Sequence, residues 1–273
     1  MNNLKNRNFV CGDTHGKIDM KKITKWYQKE FSSLTKRDNL FILGDWGAIW
    51  HYRSDKHKYK KDVELQVKWA KKNFQTIVIP GNHENYDLIN KLPVIEKWGG
   101  KVKVLTPKSP YTDKDYGEIY ILERGEIYTI NGDKILAMGG ARSQDQAMRI
   151  VGEDYWAEEL WSMEEENNCL TNLDKHNWEV DYVFAHTCPE RIGSFILDGV
   201  DAAHNQKTYY NYSAKVKDPL SKFFTHLINE GLKFKEWHFG HWHEDLVFNQ
   251  LVNEDGNGAY YVHYLKEPYE IKD

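Results

Sequence analysis

The chain reads as an α/β fold, one domain over residues 1–273 built as a two-sheet sandwich, with an embellishment at 141–175. Three features point there. Short apolar runs alternate with amphipathic helical stretches through the first third of the chain. Three closely spaced strand-like segments then follow one another in the middle. Finally, two more apolar runs in the last third each end on a histidine. Ligands of layered α/β folds sit at the carboxyl ends of strands, and here those ends carry Asp, Asn and His.

Taken in order, Asn8-Phe9-Val10-Cys11 is a strand running into Gly12-Asp13. A helical pattern follows, with Ile18, Ile23, Trp26, Tyr27 and Phe31 available for one face. Asn39 to Leu43 is a second buried strand ending at Gly44-Asp45, and Val63 to Phe74 has the pattern of an amphipathic helix. Thr76 to Ile79 is a third strand, closing on Pro80-Gly81-Asn82-His83. Glu118 to Leu122, Glu126 to Ile130 and Lys134 to Met138 read as successive strands, the last two joined by an Asn131-Gly132 hairpin turn. Gly139-Gly140-Ala141-Arg142-Ser143 breaks the pattern, and Met163 to His176 returns to helix. Tyr182 to Ala185 leads to His186, Pro219 to Ile228 is helical, and Lys235 to Phe239 leads to Gly240-His241. Leu246 to Leu251 and Ala259 to Tyr264 suggest a hairpin turned at Asp255 to Gly258.

A formal net charge of -4 provides no global basic field to draw in nucleic acid. The basic stretch Lys56 to Lys61 fits a solvated helix face. Cys11, Cys169 and Cys188 make neither a disulfide framework nor a zinc ribbon, which suits a reducing cytoplasmic setting. Met1 to Asn8 has no hydrophobic signal core, and no run approaches the roughly 20 apolar residues of a membrane helix.

The chemistry lies in five short motifs: Asp13-Thr14-His15-Gly16, Gly44-Asp45, Gly81-Asn82-His83-Glu84, His186, and Gly240-His241-Trp242-His243. Asp13 and His15, like His241 and His243, are two residues apart, so an extended backbone turns both side chains to one side. Carboxylate and imidazole together suit Mn, Fe or Zn better than Ca or Mg. Asp45 is a carboxylate able to bridge two cations, and Asn82 offers a neutral amide oxygen. Gly12, Gly44, Gly81 and Gly240 allow tight backbone turns beside these residues. The donor set matches two adjacent metals sharing one carboxylate, an arrangement that activates water and stabilises a phosphoryl group.

These motifs, in this order, resemble those of the calcineurin-like metallophosphoesterases over most of the chain. The resemblance implies two mixed β-sheets packed together and flanked by helices. It implies that Asp13, His15 and His243 hold one metal, that Asn82, His186 and His241 hold the other, and that Asp45 bridges them. It further implies that a metal-bound hydroxide attacks phosphorus while His83 stabilises or protonates the leaving oxygen. The chain departs from the Ser/Thr protein phosphatase branch after Asp45. Ala48 stands where that branch has a carboxylate partner for the leaving-group histidine, and Ile49 where it has a phosphate-gripping arginine.

A phosphate-binding arginine is therefore sought elsewhere, and Arg142 and Arg149 are the candidates because guanidinium forks match phosphate oxygens. The expected substrate is a phosphorylated small molecule or nucleotide, as monoester, diester or polyphosphate. Nuclease action on DNA or RNA and phosphoprotein hydrolysis are the alternatives, both less favoured. Segment 141–175 is the expected seat of substrate preference. Trp46, Trp50 and Trp242 flank the motifs and are read as packing sooner than as a base-stacking wall. His51, His204 and Tyr209-Tyr210 are read as surface or packing, and Cys188 as a buried, inert thiol.

Overall fold

Strands β1 (Asn8–Cys11), β2 (Asn39–Leu43) and β3 (Gln75–Ile79) lie side by side and parallel in the computed structural model of the protein. The structure describes residues 6–109, 111, 114–201, 217–249 and 257–272. The β3 strand pairs in parallel with β6 (Ile119–Leu122), and antiparallel β5 (Gly100–Leu105) and β4 (Val94–Lys97) extend that edge. On the other edge β13 (Tyr269–Glu270) pairs antiparallel with β1, completing a seven-stranded mixed sheet.

The second sheet has six strands in the order β11-β12-β10-β9-β8-β7. They are β7 (Ile127–Ile130), β8 (Asp133–Met138), β9 (Tyr182–Ala185), β10 (Glu236–Phe239), β11 (Val247–Phe248) and β12 (Ala259–Val262). Pairs β8·β9, β9·β10 and β10·β12 are parallel, and the outer pairs β7·β8 and β11·β12 are antiparallel.

Side-chain alternation assigns each strand two buried faces. Val10, Phe41, Leu43, Ile77 and Ile79 meet Ile130, Ile135, Ala137, Tyr182 and Phe184 between the sheets. Phe9, Cys11, Leu40, Ile42 and Val78 point the other way, against α1 (Met20–Glu30) and α2 (Lys56–Ala70). The outer face of the second sheet is covered by α4 (Met163–Lys175), α5 (Glu190–Asp201) and α6 (Pro219–Asn229), through Cys169, Leu173, Ile192, Ile196 and Phe224. A short α3 (Tyr86–Ile89) follows the third motif. The two-sheet sandwich flanked by helices is thus present. Burial on both faces explains why the parallel strands read as unbroken apolar runs.

Two local expectations shift, and three elements, β4, β5 and α5, were not expected. Ile18 and Phe31 are 80% and 53% exposed and lie outside α1. The chain before α1 is instead tied to the second motif, Gly16 N–H donating to the Trp46 carbonyl. The helix expected over Val63 to Phe74 begins at Lys56, capped by Asp55, and stops at Ala70, so that Phe74 packs against Trp26 and Tyr27. Strands β4 and β5, joined by Trp98 and Gly99 at positive φ, escape the periodicity because β4 is a short solvated edge strand and Lys101 and Lys103 alternate with apolar residues in β5. The α5 helix was not read either. Asp255 and Gly256 of the expected turn lie outside the described residues, as do His204 and Tyr209-Tyr210. Among the described residues no helix is long and apolar enough to cross a membrane.

Candidate metal centre

The carboxyl ends of β1, β2 and β3 meet those of β9 and β10 at one end of the sandwich, and every motif falls there. Asp13, Asp45, Asn82, His186 and His241 form a buried floor. His15 and His83 are half-buried above it, and His243 is exposed at the rim.

Asp45 lies at the centre. Its Oδ2 is 3.4 Å from His15 Nε2, and its Oδ1 is 3.3 Å from His186 Nε2. One carboxylate thus presents an oxygen to each of two imidazoles. Two groups of potential ligand atoms, each within 4.8 Å, are Asp13 with His15 and His243, and Asp13 with Asp45 and His186. Asn82 Oδ1 is 3.0 Å from His186 Nε2, and the His186 and His241 rings are 5.0 Å apart. Asp13 Oδ1 accepts the His241 backbone N–H at 3.0 Å. Asp13 Oδ2 is buried without a hydrogen bond, although His243 Nε2 lies 3.1 Å away, out of line for one.

These residues fit a pair of metal ions. A buried carboxylate oxygen left without a hydrogen bond is costly unless a cation completes it. The imidazoles are also set up as ligands. His186 Nδ1–H donates to the Leu43 carbonyl at 2.7 Å, and His15 Nδ1 meets Asp19 Oδ2 at 2.7 Å, which leaves each Nε2 for a metal. Tyr264 stacks face to face on His243 with ring centroids 4.5 Å apart. Asp19 and Tyr264 were missed by the sequence reading. An acid four residues after His15 was the one available signal.

The backbone pays a conformational cost here. Among the described residues eight non-glycine residues have positive φ, and four of them are His15, Asp45, His241 and His243. Left-handed conformations at such residues persist where the surroundings over-determine them, typically at functional sites. Of the four flanking glycines, only Gly44 uses the left-handed region, at φ +90°. The others serve close approach: a Cβ on Gly81 or Gly240 would fall 2.2 Å from Asp45 Oδ1 or 2.3 Å from Asp13 Oδ1. At Gly44 it would lie 1.9 Å from His186 Nδ1. Gly44→Ala is therefore expected to destabilise the protein by about 2 kcal/mol or more in urea unfolding. A midpoint unchanged from wild type would contradict this packing.

Charges at the site are mutually dependent. Burial opposes ionisation of Asp45, but His186, His83 and His15 hold its carboxyl well below the usual range. Burial likewise opposes the charged imidazoles, yet Asp45 foremost pushes both His15 and His186 up to about 9. Burial holds His83 below its ordinary value, and nearby Arg149 adds to this.

Arg149 is forked onto Asp145 at 2.6 and 2.8 Å and donates to the Asp154 carbonyl at 3.0 Å. The Arg142 backbone N–H donates to Asp218 Oδ2 at 2.8 Å, while its side chain is exposed. Trp46 and Trp242 are buried in the helix-covered cores and cannot stack a base. Trp50 is half-buried with its ring on Trp156, and His51 is bound to Asp62. Ala48 and Ile49 pack into the core beneath α2. Cys188 is fully buried, and the described cysteines form no disulfide.

Buried Asp13, common to both groups, and buried Asp45 sit among imidazoles at the open end of a layered α/β sandwich, an arrangement that suits the class of metal-dependent phosphoesterases. The model of the calcineurin-like phosphoesterase family matches residues 7–245, and the chain belongs to that family. Among solved structures 21 chains match. One is the crystal structure of a phosphopantetheinyl hydrolase from Mycobacterium tuberculosis, 15% identical, with a TM-score of 0.46 over 96% of this chain and 90% of that one. No curated protein matches the chain.

Proposed function

We propose that this phosphoesterase hydrolyses a phosphorylated small molecule or nucleotide at a dinuclear centre. Asp13, His15 and His243 would hold one cation, Asn82, His186 and His241 the other, and Asp45 both. The carrying observation is Asp45, whose two oxygens address His15 at 3.4 Å and His186 at 3.3 Å. The mixed nitrogen and oxygen donors favour Mn, Fe or Zn. When bound, two such ions supply Lewis acidity and lower the pKa of a water.

The chain's own groups do the rest. The His83 backbone N–H donates to Asp45 Oδ1 at 2.8 Å, tying its position to the bridging carboxylate. Burial keeps its imidazole largely neutral at pH 7, so it acts on the leaving oxygen chiefly as a hydrogen-bond donor. Arg149 uses three of its five N–H donors on Asp145 and Asp154, which orients the fork and leaves two for a phosphate oxygen. Arg142, with an exposed side chain on the same loop, is the second candidate. The three buried cysteines suit a reducing cytoplasm.

The test is hydrolysis of p-nitrophenyl phosphate and bis-p-nitrophenyl phosphate by metal-stripped protein resupplied with Mn. Faster monoester turnover identifies a phosphatase, and faster diester turnover a phosphodiesterase. Activity on neither, nor on a panel of nucleotides, overturns the proposal. Arg149→Ala is expected to lower kcat/KM by about 10-fold or more, the scale of a charge-assisted hydrogen bond. Values within twofold of wild type for both Arg149→Ala and Arg142→Ala would remove arginine from the substrate site.

A further inference from the structure

Asn82 is the one neutral side chain in the proposed ligand set, and it has two chemically different ends. Only Oδ1 can bind a cation, so the amide must be held with the correct end inward. Its Nδ2 donates to Ser143 Oγ at 3.0 Å. That contact alone decides nothing, because a hydroxyl can donate as readily as accept.

Glu159 decides it. The Ser143 hydroxyl donates to Glu159 Oε2 at 2.5 Å, and the Ser143 backbone N–H donates to Glu159 Oε1 at 2.8 Å. Burial pushes the Glu159 carboxyl up to about 7, and above that pH the ionised carboxylate only accepts, so the single hydroxyl proton of Ser143 is committed to it. Ser143 Oγ therefore faces Asn82 with lone pairs, and only the NH2 end of the amide matches. Oδ1 is left facing His186. Glu159, Ser143 and Asn82 are 0%, 3% and 4% exposed, so water does not compete for these bonds.

Glu159 is itself anchored. It ends a 3-10 turn, Ala157–Glu159. Arg124 pins that turn by donating to the Glu158 carbonyl at 2.7 Å while its Nε meets Glu165 at 2.7 Å. Gly140 admits the turn, since a Cβ there would come within 2.4 Å of the Glu159 carbonyl oxygen. Two parts of the 141–175 segment thus converge on one metal ligand.

We propose that Glu159, acting through Ser143, is a positioning residue that fixes the Asn82 amide oxygen toward the metal site and thereby sets the affinity of the metal held with His186 and His241. This rests on the ligand set proposed above. The test is calorimetric titration of metal-stripped Ser143→Ala and Glu159→Gln proteins with Mn alone. One equivalent is expected to bind as in wild type, and the other to weaken by ~10–100-fold, the usual effect of losing a ligand's hydrogen-bond partner. Melting of the metal-free variants confirms that they are folded.

A double substitution separates positioning from a structural role. In an Asn82→Asp background both ends of the side chain are oxygens, and Ser143→Ala is expected to add little to the loss. The proposal is overturned if neither single variant weakens binding by at least threefold, if both equivalents weaken alike, or if the full Ser143→Ala effect persists with Asn82→Asp. The titration reads affinity and not turnover. A protein that binds two equivalents yet cleaves no phosphoester would therefore sink the functional proposal and leave this one standing.

Discussion

Asp45→Asn is expected to produce the largest loss of activity of any single conservative change. Asparagine tolerates the left-handed backbone that Asp45 adopts at φ 49°. Its amide oxygen can still accept the His83 N–H, which now reaches Asp45 Oδ1 at 2.8 Å. The local fold is therefore preserved while the charge shared by the two imidazoles disappears. Losing an outer partner of a metal ligand costs up to ~100-fold. Losing the bridge should exceed that, with kcat/KM falling by on the order of 1000-fold and bound Mn falling below two per chain. Steady-state kinetics at saturating Mn, with metal analysis of the same sample, tests this. Two tightly bound metals and activity within tenfold of wild type would show that Asp45 is not shared.

Metal-free protein is expected to lose stability as pH rises through neutrality, and metal is expected to abolish that loss. His15 and His186 are pushed up to about 9, burial opposing and Asp45 favouring the shift. A raised folded pKa means that the stabilisation is complete below the unfolded value near 6.5 and disappears as pH climbs through about 9. Glu84 has the same sign. Its carboxyl is pushed up to about 8, mainly by burial and then by Asp45, so the folded state keeps a proton that the unfolded chain has released. Asp45 and Asp13 run the other way. Their depressed values give stability above the ordinary carboxylate pKa that is lost on strong acidification.

The metal-free protein should thus be most stable on the acid side of neutral. Its Tm should fall by on the order of 10 °C between pH 6.5 and 9, given a few kcal/mol spread over a chain of this size. Bound metal takes the place of the imidazole protons, so the slope should flatten with Mn and protons should be released on binding at pH 7. Melting curves across that range, with and without Mn, decide it. A metal-free Tm that is flat or rises toward pH 9 contradicts the charge arrangement.

How much of this could be read before folding differs from residue to residue. The central strands were legible because burial on both faces leaves unbroken runs such as Leu40-Phe41-Ile42-Leu43. Strand β5, beside the edge strand β4, was not, since Lys101 and Lys103 interrupt it on its solvated face. The candidate ligands were legible because each motif is compact and ends a strand. Their supports were not. Ser143 is 61 positions from Asn82 and Glu159 is 16 from Ser143, and no local pattern links such distances. The ammonium of Lys22 donates to the Gly12 and Asp13 carbonyls beneath the site, a contact that no helical periodicity announces.

Residue type and order along the chain were sufficient to determine the layered fold, the donor chemistry and the family, because strand burial and metal-ligand identity are properties of short segments. Which carboxylate oxygen addresses which imidazole was decided only when two sheets were brought together. So were the choice of ring nitrogen left for a metal and the orientation of the Asn82 amide. Hydrogen bonds are directional and act over about 3 Å. The partners that set those directions come from β2, β9, the loop after β8 and the turn at Ala157–Glu159, which only tertiary packing makes neighbours.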